Sequence, residues 1–499
     1  MDRLHGRGMI GLAVLMVLLL GTAAAAAEPR DRFAPRGLFD IEDVRLVNGF
    51  RIVLKQRPDT RNVAFRLVVG VGTRHFACGR RETPHLLEHL LFSGTTRHTE
   101  AELESVVQDL GGSWNATTGT ESTTYQLDIF DRYALEGLDV LHEIVTDSVI
   151  TPEKIARAKS VVYREEGGKP SSFRRWLYRF NIGKGAWDKA NALLLPGEGA
   201  VCSGLVNLEQ ITKRDLEEAL RTAYVPENMM LVAVGNFDRS KLLDRIVATF
   251  GSMPRAPKPV LHVSTPFTPA SGQAVVSSSL SPFLGSSGSL SIAFRTEGRD
   301  HPDAAPLIVL STYLSEKFYD EIRVKAGLSY APDVVMFFQP DYGIFYATAD
   351  IGSGELGQVR GRMTAVLDRL RSEKVSPAEV ERTKRKILLQ WAQAYQTNAG
   401  QASFYADQLS RKGGKSLRRK GSDPDILLHY DREVSEVSVA DVDRVITRYL
   451  SREHRVEIRS FPTMSYALFF KVCGSLLLVI AISAGYRMFR AAKRTGRAS

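Results

Sequence analysis

The chain has 499 residues, of which 44% are hydrophobic and 24% charged, a globular composition in a chain too long for one core. Its net charge of +10 is misleading, because residues 471–499 alone carry +6 and residues 1–27 carry +1. A nucleic-acid-binding protein would carry its positive charge as a patch on the folded body, so we exclude that class.

Residues 1–27 have the three parts of a secretory signal peptide. Arg3 and Arg7 form the basic region, Met9–Leu20 forms the apolar region, and a run of alanines before Glu28 forms the cleavage site. An uncleaved membrane anchor is the alternative, because the apolar run and the alanines together are just long enough to span a bilayer.

Residues 41–71 predict three strands. The alternating runs Asp43–Val47 and Phe50–Leu54 flank Asn48-Gly49, which is a strong hairpin signal. A further apolar strand, Val63–Val71, follows and leads towards a helix.

That helix carries a metal-binding pattern. Thr83 is predicted as its N-cap and Pro84 as its first residue. His85 and His89 are four residues apart, so both imidazoles lie on one helix face and can reach a single zinc ion. Glu88 points to the same side and is placed to take a proton from the water that zinc activates. This H-x-x-E-H order reverses the commoner H-E-x-x-H. The alternative is two ordinary polar histidines on a half-exposed helix, and a zinc site needs a third ligand downstream.

Thr99 and Glu102 form a capping box that begins the next helix. Residues 114–130 alternate polar and apolar side chains and predict one or two strands near a sheet edge. After another helical stretch, a further helix begins at Thr151 and runs to about Glu166.

This last helix supplies a candidate third ligand. Ala158, Val161, Val162 and Glu165 follow one another at helical spacing, so Glu165 ends the inward-facing apolar stripe. Burying an unpaired carboxylate is expensive, and zinc would be its partner. Glu166 points about 100° away and is expected to be more exposed. The alternative is that Glu165 is a solvated residue at the helix end.

The proline-rich segment 254–269 is interpreted as a linker. It separates an N-terminal peptidase domain, residues 28–253, from a C-terminal domain, residues 270–463. The C-terminal domain is predicted to repeat the first domain in outline, but it has no H-x-x-E-H sequence and is expected to be inactive. A Ser/Gly-rich stretch, residues 277–289, is interpreted as a mobile loop.

A transmembrane helix is predicted over residues 464–486, followed by a basic tail, residues 487–499. The stretch Tyr466–Tyr486 is apolar except for Lys471, and five Arg or Lys residues follow it. The positive-inside rule places the tail in the cytoplasm and the body on the other side of the membrane. A bacterial periplasm, with the anchor in the inner membrane, fits this pattern, and a eukaryotic secretory compartment is the alternative. A buried C-terminal helix fits poorly with a basic tail directly after it.

The chain has three cysteines, and Cys473 falls in the predicted membrane segment. Cys78 and Cys202 remain as a candidate disulfide in an oxidising compartment. Neither lies in a C-x-x-C pattern, so a cysteine metal site is not indicated.

Several separate motifs together resemble the pitrilysin/insulinase family of zinc peptidases. The likeness is strongest to its half-length members, which include the mitochondrial processing peptidases and their bacterial relatives. The matching segments are His85–Thr95, Gly112–Thr118, Val161–Glu165, Tyr224–Asp238 and Arg323–Tyr330. Glu165 also lies at the family's spacing from the metal helix.

The resemblance implies an α+β fold of two similar tandem domains, each a largely antiparallel sheet with helices packed on one side. It implies Zn²⁺ held by His85, His89 and Glu165, with Glu88 as the general base. In relatives, two such chains, or a chain and a partner, close around a chamber that admits unfolded peptides. This sequence carries both the metal motif and the Arg/Tyr motif, so a homodimer is the simpler expectation. A heterodimer with a related subunit is the alternative.

The resemblance also implies substrate contacts. Asn115 and Ala116 would pair with the backbone of an extended peptide as an added strand. Arg323 and Tyr330 would contact the peptide from the second domain. The alternative for this second pair is an exposed arginine and a core tyrosine.

One position departs from the family pattern. Active relatives usually carry another glutamate seven residues before the distal ligand, where this chain has Ala158. The ligand set is intact, but weaker support around it lowers zinc affinity or rate by roughly 10–100-fold, unless Glu153 or Glu166 substitutes.

The sequence therefore predicts a membrane-anchored zinc metalloendopeptidase that hydrolyses peptides or unfolded polypeptides. The alternative is a catalytically silent, peptide-binding or scaffolding subunit of a peptidase-like complex. Ala158 favours that alternative slightly, and the intact His85, Glu88, His89 and Glu165 oppose it.

Overall fold

The computed structural model describes residues 37–38, 40–166, 168–178, 185–195, 208–259, 274–277, 284–352, 354–410 and 430–495. The predicted signal peptide, residues 260–269 of the predicted linker, and Cys202 lie outside these residues. Cys78 is disulfide-bonded and Cys473 is free.

Two sheets organise the described part of the chain. The strands are β1 (Glu42–Arg45), β2 (Arg51–Gln56), β3 (Asn62–Val69), β4 (Ser113–Thr118), β5 (Thr123–Phe130), β6 (Met229–Gly235), β7 (Ala274–Ser277), β8 (Leu284–Gly285), β9 (Ser287–Glu297), β10 (Asp333–Phe338), β11 (Tyr342–Gly352), β12 (Val456–Ser460) and β13 (Met464–Ser465). The first sheet has the order β1-β2-β6-β3-β5-β4 and the second β10-β11-β9-β12-β7, while β8 pairs with β13.

The helices connect and cover these sheets. They are α1 (Thr83–Phe92), α2 (Glu100–Asp109), α3 (Ala134–Thr146), α4 (Pro152–Glu165), α5 (Ser172–Tyr178), α6 (Ala186–Leu194), α7 (Lys213–Ala223), α8 (Arg239–Ala248), α9 (Ala304–Phe318), α10 (Leu356–Ser372), α11 (Pro377–Ala394), α12 (Asn398–Ser410), α13 (Tyr430–Ser435), α14 (Val439–Tyr449) and α15 (Tyr466–Thr495). Thr99 and Glu102 form the predicted capping box at the start of α2.

The two sheets share one topology. The strands β4-β5-β3-β6-β2 of the first sheet correspond in order to β10-β11-β9-β12-β7 of the second. In both series the pairs are antiparallel except the last, β6 with β2 and β12 with β7, which is parallel. The second half therefore repeats the first, and β1 is an addition to the first sheet.

Each sheet has its main core on one face. The first sheet packs against α1, α3, α4, α7 and α8 through a large hydrophobic cluster. The second sheet packs in the same way against α9, α10, α11 and α14. These faces are the layers that the α+β prediction describes.

The opposite faces are covered by an exchange between the halves. Helix α12, from the second half, lies on β3 and β6 of the first sheet, where Ala402, Phe404 and Tyr405 pack against Val232 and its neighbours. Helix α6, from the first half, lies on β12 of the second sheet. Helices thus occur on both sides of each sheet, and the prediction of helices on one side is incomplete. Burial on both faces explains the continuous apolar sequence of β6.

Two further differences concern the second half. Residues Ser287–Ser289, predicted as part of a mobile loop, begin the long strand β9. The sequence also predicts a helix over Ala304–Glu321. In the structure α9 ends at Phe318, and a π-helical turn, a form often found at functional sites, follows at Tyr319–Val324.

Within the described residues, one helix is long and apolar enough to cross a membrane. Its apolar stretch is Tyr466–Arg487, and none of it is buried against the body. The interpretation of this helix as a membrane span rests on its length and its composition alone.

A buried arginine ties the two halves together near the β4–β5 turn. Arg74 donates to both carboxylate oxygens of Asp341, with Nη1–Oδ1 and Nη2–Oδ2 distances of 3.1 and 3.0 Å. It also donates to Glu121 in the β4–β5 turn. The Arg74 side chain is only 7% exposed, so its guanidinium is shielded from water, whereas the Glu121 and Asp341 carboxylates are partly exposed.

We expect Arg74→Met to destabilise the protein. Removing one partner of a buried ion pair costs about 3–5 kcal/mol, and the partial exposure of both carboxylates here reduces the expected loss to about 1–3 kcal/mol in the free energy of unfolding. Urea unfolding of the detergent-solubilised full chain, followed by tryptophan fluorescence, measures it. The control is Arg245→Met, which removes an exposed pair with Asp139 inside the first half and should cost less than about 1 kcal/mol. Equal losses in the two variants would contradict the interpretation.

Candidate metal centre

Helix α1 begins one residue earlier than predicted. Thr83 is its first residue, and Glu82 occupies the N-cap position without a capping hydrogen bond. The Thr83 hydroxyl donates instead to the carbonyl oxygen of Arg80, at 2.7 Å. Thr83 is therefore not the N-cap, because its hydroxyl is used in the preceding turn, and the Glu82 side chain is left available for another contact.

Two helices bring three donor atoms together. The Nε2 atoms of His85 and His89 are 3.3 Å apart. Glu165, the last residue of α4, places Oε2 3.3 Å from His85 Nε2 and 3.5 Å from His89 Nε2. Neighbouring donors of a tetrahedral zinc ion with bonds of about 2.0–2.2 Å are about 3.3–3.6 Å apart. The three atoms thus have the spacing of one face of such a tetrahedron.

The donor types also suit zinc. Two imidazole nitrogens and one carboxylate oxygen are the ligand set of a catalytic zinc site that keeps a fourth position open. In the described part of the chain, this trio is the group of His, Cys, Asp and Glu side chains that could hold a metal. The side chains of His85, His89 and Glu165 are 21%, 23% and 48% exposed, so the site is open to solvent. Without a metal, the same distances allow hydrogen bonds among the three groups.

Glu82 is a residue of the site that the sequence analysis missed. Its Oε2 lies 3.0 Å from Nδ1 of His85, on the side of the ring opposite the donor atom Nε2. The signal that could have identified Glu82 is its spacing from His85, because residues three apart share a helix face. Burial alone would lower the pKa of His85, but the hydrogen bond and charge of Glu82, together with the charges of Glu88 and Glu165, outweigh it and raise that pKa. The site is therefore electronegative and favours a cation.

Glu166 lies beside the trio and is not part of it. It follows Glu165 at the C-cap of α4. Partial burial, and then the neighbouring Glu82 carboxylate, raise the pKa of Glu166. The structure thus brings Glu165, rather than Glu166, to the two histidines, as the helical spacing on α4 predicts. The Glu165 side chain is nevertheless 48% exposed, and not buried as the apolar stripe implied.

Glu88 connects the metal helix to the sheet edge. Its Oε2 accepts a hydrogen bond from the Thr118 hydroxyl at the end of β4. Thr118 is a second residue that the sequence analysis missed, since nothing in the local pattern links it to α1. Beneath this point the hydroxyls of Tyr125 and Tyr224 are hydrogen-bonded at 2.8 Å. Burial raises the pKa of both phenols, so they stay neutral next to Glu88.

Asn115 and Ala116 lie on β4, the edge strand of the first sheet. Ala116 is buried in the core and Asn115 is exposed on the other face. In the described part of the chain, β4 pairs with β5 on one side, and its other side has no neighbouring strand. Its backbone is therefore placed to accept an added strand.

Arg323 and Tyr330 are brought together in the second half. Nη1 of Arg323 donates to the carbonyl oxygen of Tyr330 at 2.7 Å. Its guanidinium carbon lies 4.2 Å from the centre of the Tyr330 ring and 5.0 Å from that of Tyr319. Tyr330 is 80% exposed, so the alternative of a core tyrosine is wrong.

Two family models match the chain. Residues 51–168 match "Insulinase (Peptidase family M16)", and residues 210–387 match "Peptidase M16 inactive domain". The first match contains the three donor residues and Glu88, and the second contains Arg323 and Tyr330.

Individual proteins are also similar to the chain. The chain is 24% identical to an uncharacterized zinc protease of Rickettsia felis, over 69% of this chain and 81% of that protein. It is 24% identical to the mitochondrial-processing peptidase subunit beta of Blastocladiella emersonii, over 45% of this chain and 47% of that protein, so it spans about half the length of that relative. A protease from Helicobacter pylori has a similar fold, with a TM-score of 0.69 and 19% identity over 85% of this chain and 99% of that one.

The geometry distinguishes two adjacent glutamates. We expect Glu165→Gln to weaken zinc binding by more than the roughly 10–100-fold typical of residues around metal ligands, because it removes a charged donor. Glu166→Gln is the matched control and should change the zinc dissociation constant by less than about threefold. Competition with a chromophoric chelator, on the detergent-solubilised full chain, measures both. Stronger weakening by the Glu166 variant would contradict the assignment.

Proposed function

Because the chain belongs to the insulinase (M16) peptidase family and is of its half-length type, we propose that it is a membrane-anchored zinc metalloendopeptidase. Its proposed substrates are peptides or unfolded polypeptides. The observation that carries the proposal is the convergence of His85, His89 and Glu165 at tetrahedral donor spacing, with Glu88 on the same helix.

The proposed chemistry is peptide hydrolysis with Glu88 as the proton carrier. Zinc, when bound by His85, His89 and Glu165, supplies a Lewis acid that lowers the pKa of water to about 7 and polarises the scissile carbonyl. Glu88 takes the proton from the attacking water and gives it to the leaving amine. The Thr118 hydroxyl, by donating to one carboxylate oxygen of Glu88, holds the carboxylate in place and leaves its other oxygen for the water.

The sheet edge supports the proposed substrate class. A peptide pairing with the backbone of β4, at Asn115 and Ala116, would lie directly beside α1, because Thr118 on the same strand contacts Glu88. Backbone pairing requires an extended chain and depends little on the sequence of that chain, which favours unfolded polypeptides as substrates. Arg323 and Tyr330 would contact the same peptide from the second half.

We further propose the predicted architecture around this site. It consists of a cleaved signal, residues 1–27, an N-terminal peptidase domain, a linker at 254–269 and an inactive C-terminal repeat. The helix over residues 464–486 would anchor the body outside the cytoplasm, in a bacterial periplasm. The apolar part of α15 up to Tyr486 and the basic residues from Arg487 onward support this placement.

The proposed assembly is a homodimer or a heterodimer with a related subunit. The Blastocladiella relative is named as a subunit, which supports association. A catalytically silent, scaffolding subunit is the second candidate function, and Ala158 is the residue that favours it. The family description "inactive domain" applies to residues 210–387, outside the three donor residues, and so does not favour it.

The decisive test is Glu88→Gln. We expect wild-type full chain in detergent to cleave a mixed library of unstructured peptides, and a chelator to stop it. The variant should lose about 10²–10⁴-fold in kcat, because it keeps the shape of the side chain but has no basic carboxylate. Its zinc content should equal that of wild type. Wild-type protein that binds zinc but cleaves nothing would favour the silent subunit.

A second test concerns Arg323→Ala. Losing a charged hydrogen-bond donor to the peptide costs about 1.5–3 kcal/mol, so kcat/KM should fall roughly 10–100-fold. The fall should come mainly from KM, because Arg323 does not take part in bond cleavage. Steady-state kinetics on one peptide from the library measure it, with exposed Arg371→Ala as the control. An unchanged KM would contradict the proposed contact between Arg323 and the substrate.

A further inference from the structure

We propose that Glu82 is the positioning residue of His85, and that it supplies the carboxylate support that Ala158 cannot. This inference rests on the proposed zinc site. It concerns a residue three positions before the first histidine, where the metal motif itself requires nothing. The chain would thus support its zinc site through Glu82, whereas active relatives usually carry a glutamate at the position of Ala158.

The contact has the geometry of an orienting hydrogen bond. Glu82 Oε2 lies 3.0 Å from Nδ1 of His85. A carboxylate there keeps the proton on Nδ1, which leaves the lone pair of Nε2 facing His89 and Glu165. It also fixes the rotation of the ring, because the imidazole is held at both of its nitrogens. Negative charge on this side makes Nε2 a better donor to a metal.

Glu82 is free for this role because of how α1 begins. A residue at the N-cap position commonly bonds the helix's own amides, but the Glu82 side chain makes no such bond. Its side chain is only 20% exposed, so the hydrogen bond to His85 is partly shielded from water. By contrast the Glu165 side chain, on the metal side of the ring, is 48% exposed.

The other candidates for this support do not occupy the position. Ala158 is 3% exposed within the apolar core and has no polar group. Glu153 lies in the first turn of α4, where a hydrogen bond from its own backbone amide, and then one from Thr151, lower its pKa. That turn is twelve residues before Glu165, about 18 Å along the helix. Glu166, the remaining candidate, forms no hydrogen bond with His85, whose Nδ1 faces the Glu82 carboxylate at 3.0 Å. Glu82 is therefore the carboxylate that supports His85 from the Nδ1 side.

The test is a series of Glu82 variants of the full chain in detergent, read by zinc affinity. Glu82→Ala removes both charge and acceptor and should raise the zinc dissociation constant by about 10–100-fold. Glu82→Gln keeps an acceptor oxygen without charge and should fall between wild type and the alanine variant. The control, Glu136→Ala, removes an exposed glutamate from the first turn of α3 and should leave the dissociation constant unchanged.

Thermal unfolding of the zinc-free proteins separates positioning from a structural role. A positioning residue changes zinc affinity while the zinc-free Tm of Glu82→Gln stays at the wild-type value. Affinities of both Glu82 variants within twofold of wild type would overturn the inference alone, provided that His85→Ala abolishes binding. Wild-type chain that binds no zinc would overturn the proposed function as well as the inference.

Discussion

The packing of α1 against α4 is the contact on which the rest of the site depends. The histidines and Glu88 share α1, so their mutual spacing follows from helix geometry alone. Glu165 lies on another helix, and its place next to the histidines depends on the core between the helices. Leu86, Leu90 and Val162 are fully buried in that core. A cavity or an overpacked side chain there would move one ligand relative to the other two.

The same site is attached to the second half of the molecule through the β4–β5 turn. Thr118 ends β4 and bonds Glu88, and the turn that follows carries Glu121, which shares Arg74 with Asp341. Helix α12 covers the far face of β3, so the strand next to β5 is held from the other side by the second half. The position of the edge strand β4 relative to α1 is therefore set by both halves, although the three candidate metal donors all belong to the first.

The parts of the site that the sequence predicts are those determined by local periodicity. A helix places His85 and His89 on one face in any context, and the apolar stripe that Glu165 ends selects it over Glu166. The parts of the site that the sequence does not predict depend on which of several possible partners a side chain contacts. The Glu82 side chain can cap a helix or bond His85, and its sequence neighbours do not decide between these. Similarly, nothing in the local sequence of α12 identifies the sheet on which it packs, which is why its crossing to β3 and β6 is absent from the predictions.

The repeated topology shows why a shared fold does not imply a shared site. Helix α9 follows β9 as α1 follows β3, and its N-cap residue is Asp303, which is almost fully buried. This carboxylate is satisfied by protein groups alone, with Arg444 at 2.8 Å, Arg448 at 3.1 Å and the Tyr449 hydroxyl at 2.6 Å. The α9 sequence has no histidine, so no ligand pair can form there. Near the corresponding end of α1, Glu82 and Glu165 contact the two imidazoles and have no arginine among their contacts in the described residues. Under the proposed function, a metal cation balances these carboxylates. In each half, acidic side chains near the start of a helix are thus balanced by positive charge. The charge comes from arginines in the second half and, on our proposal, from zinc in the first.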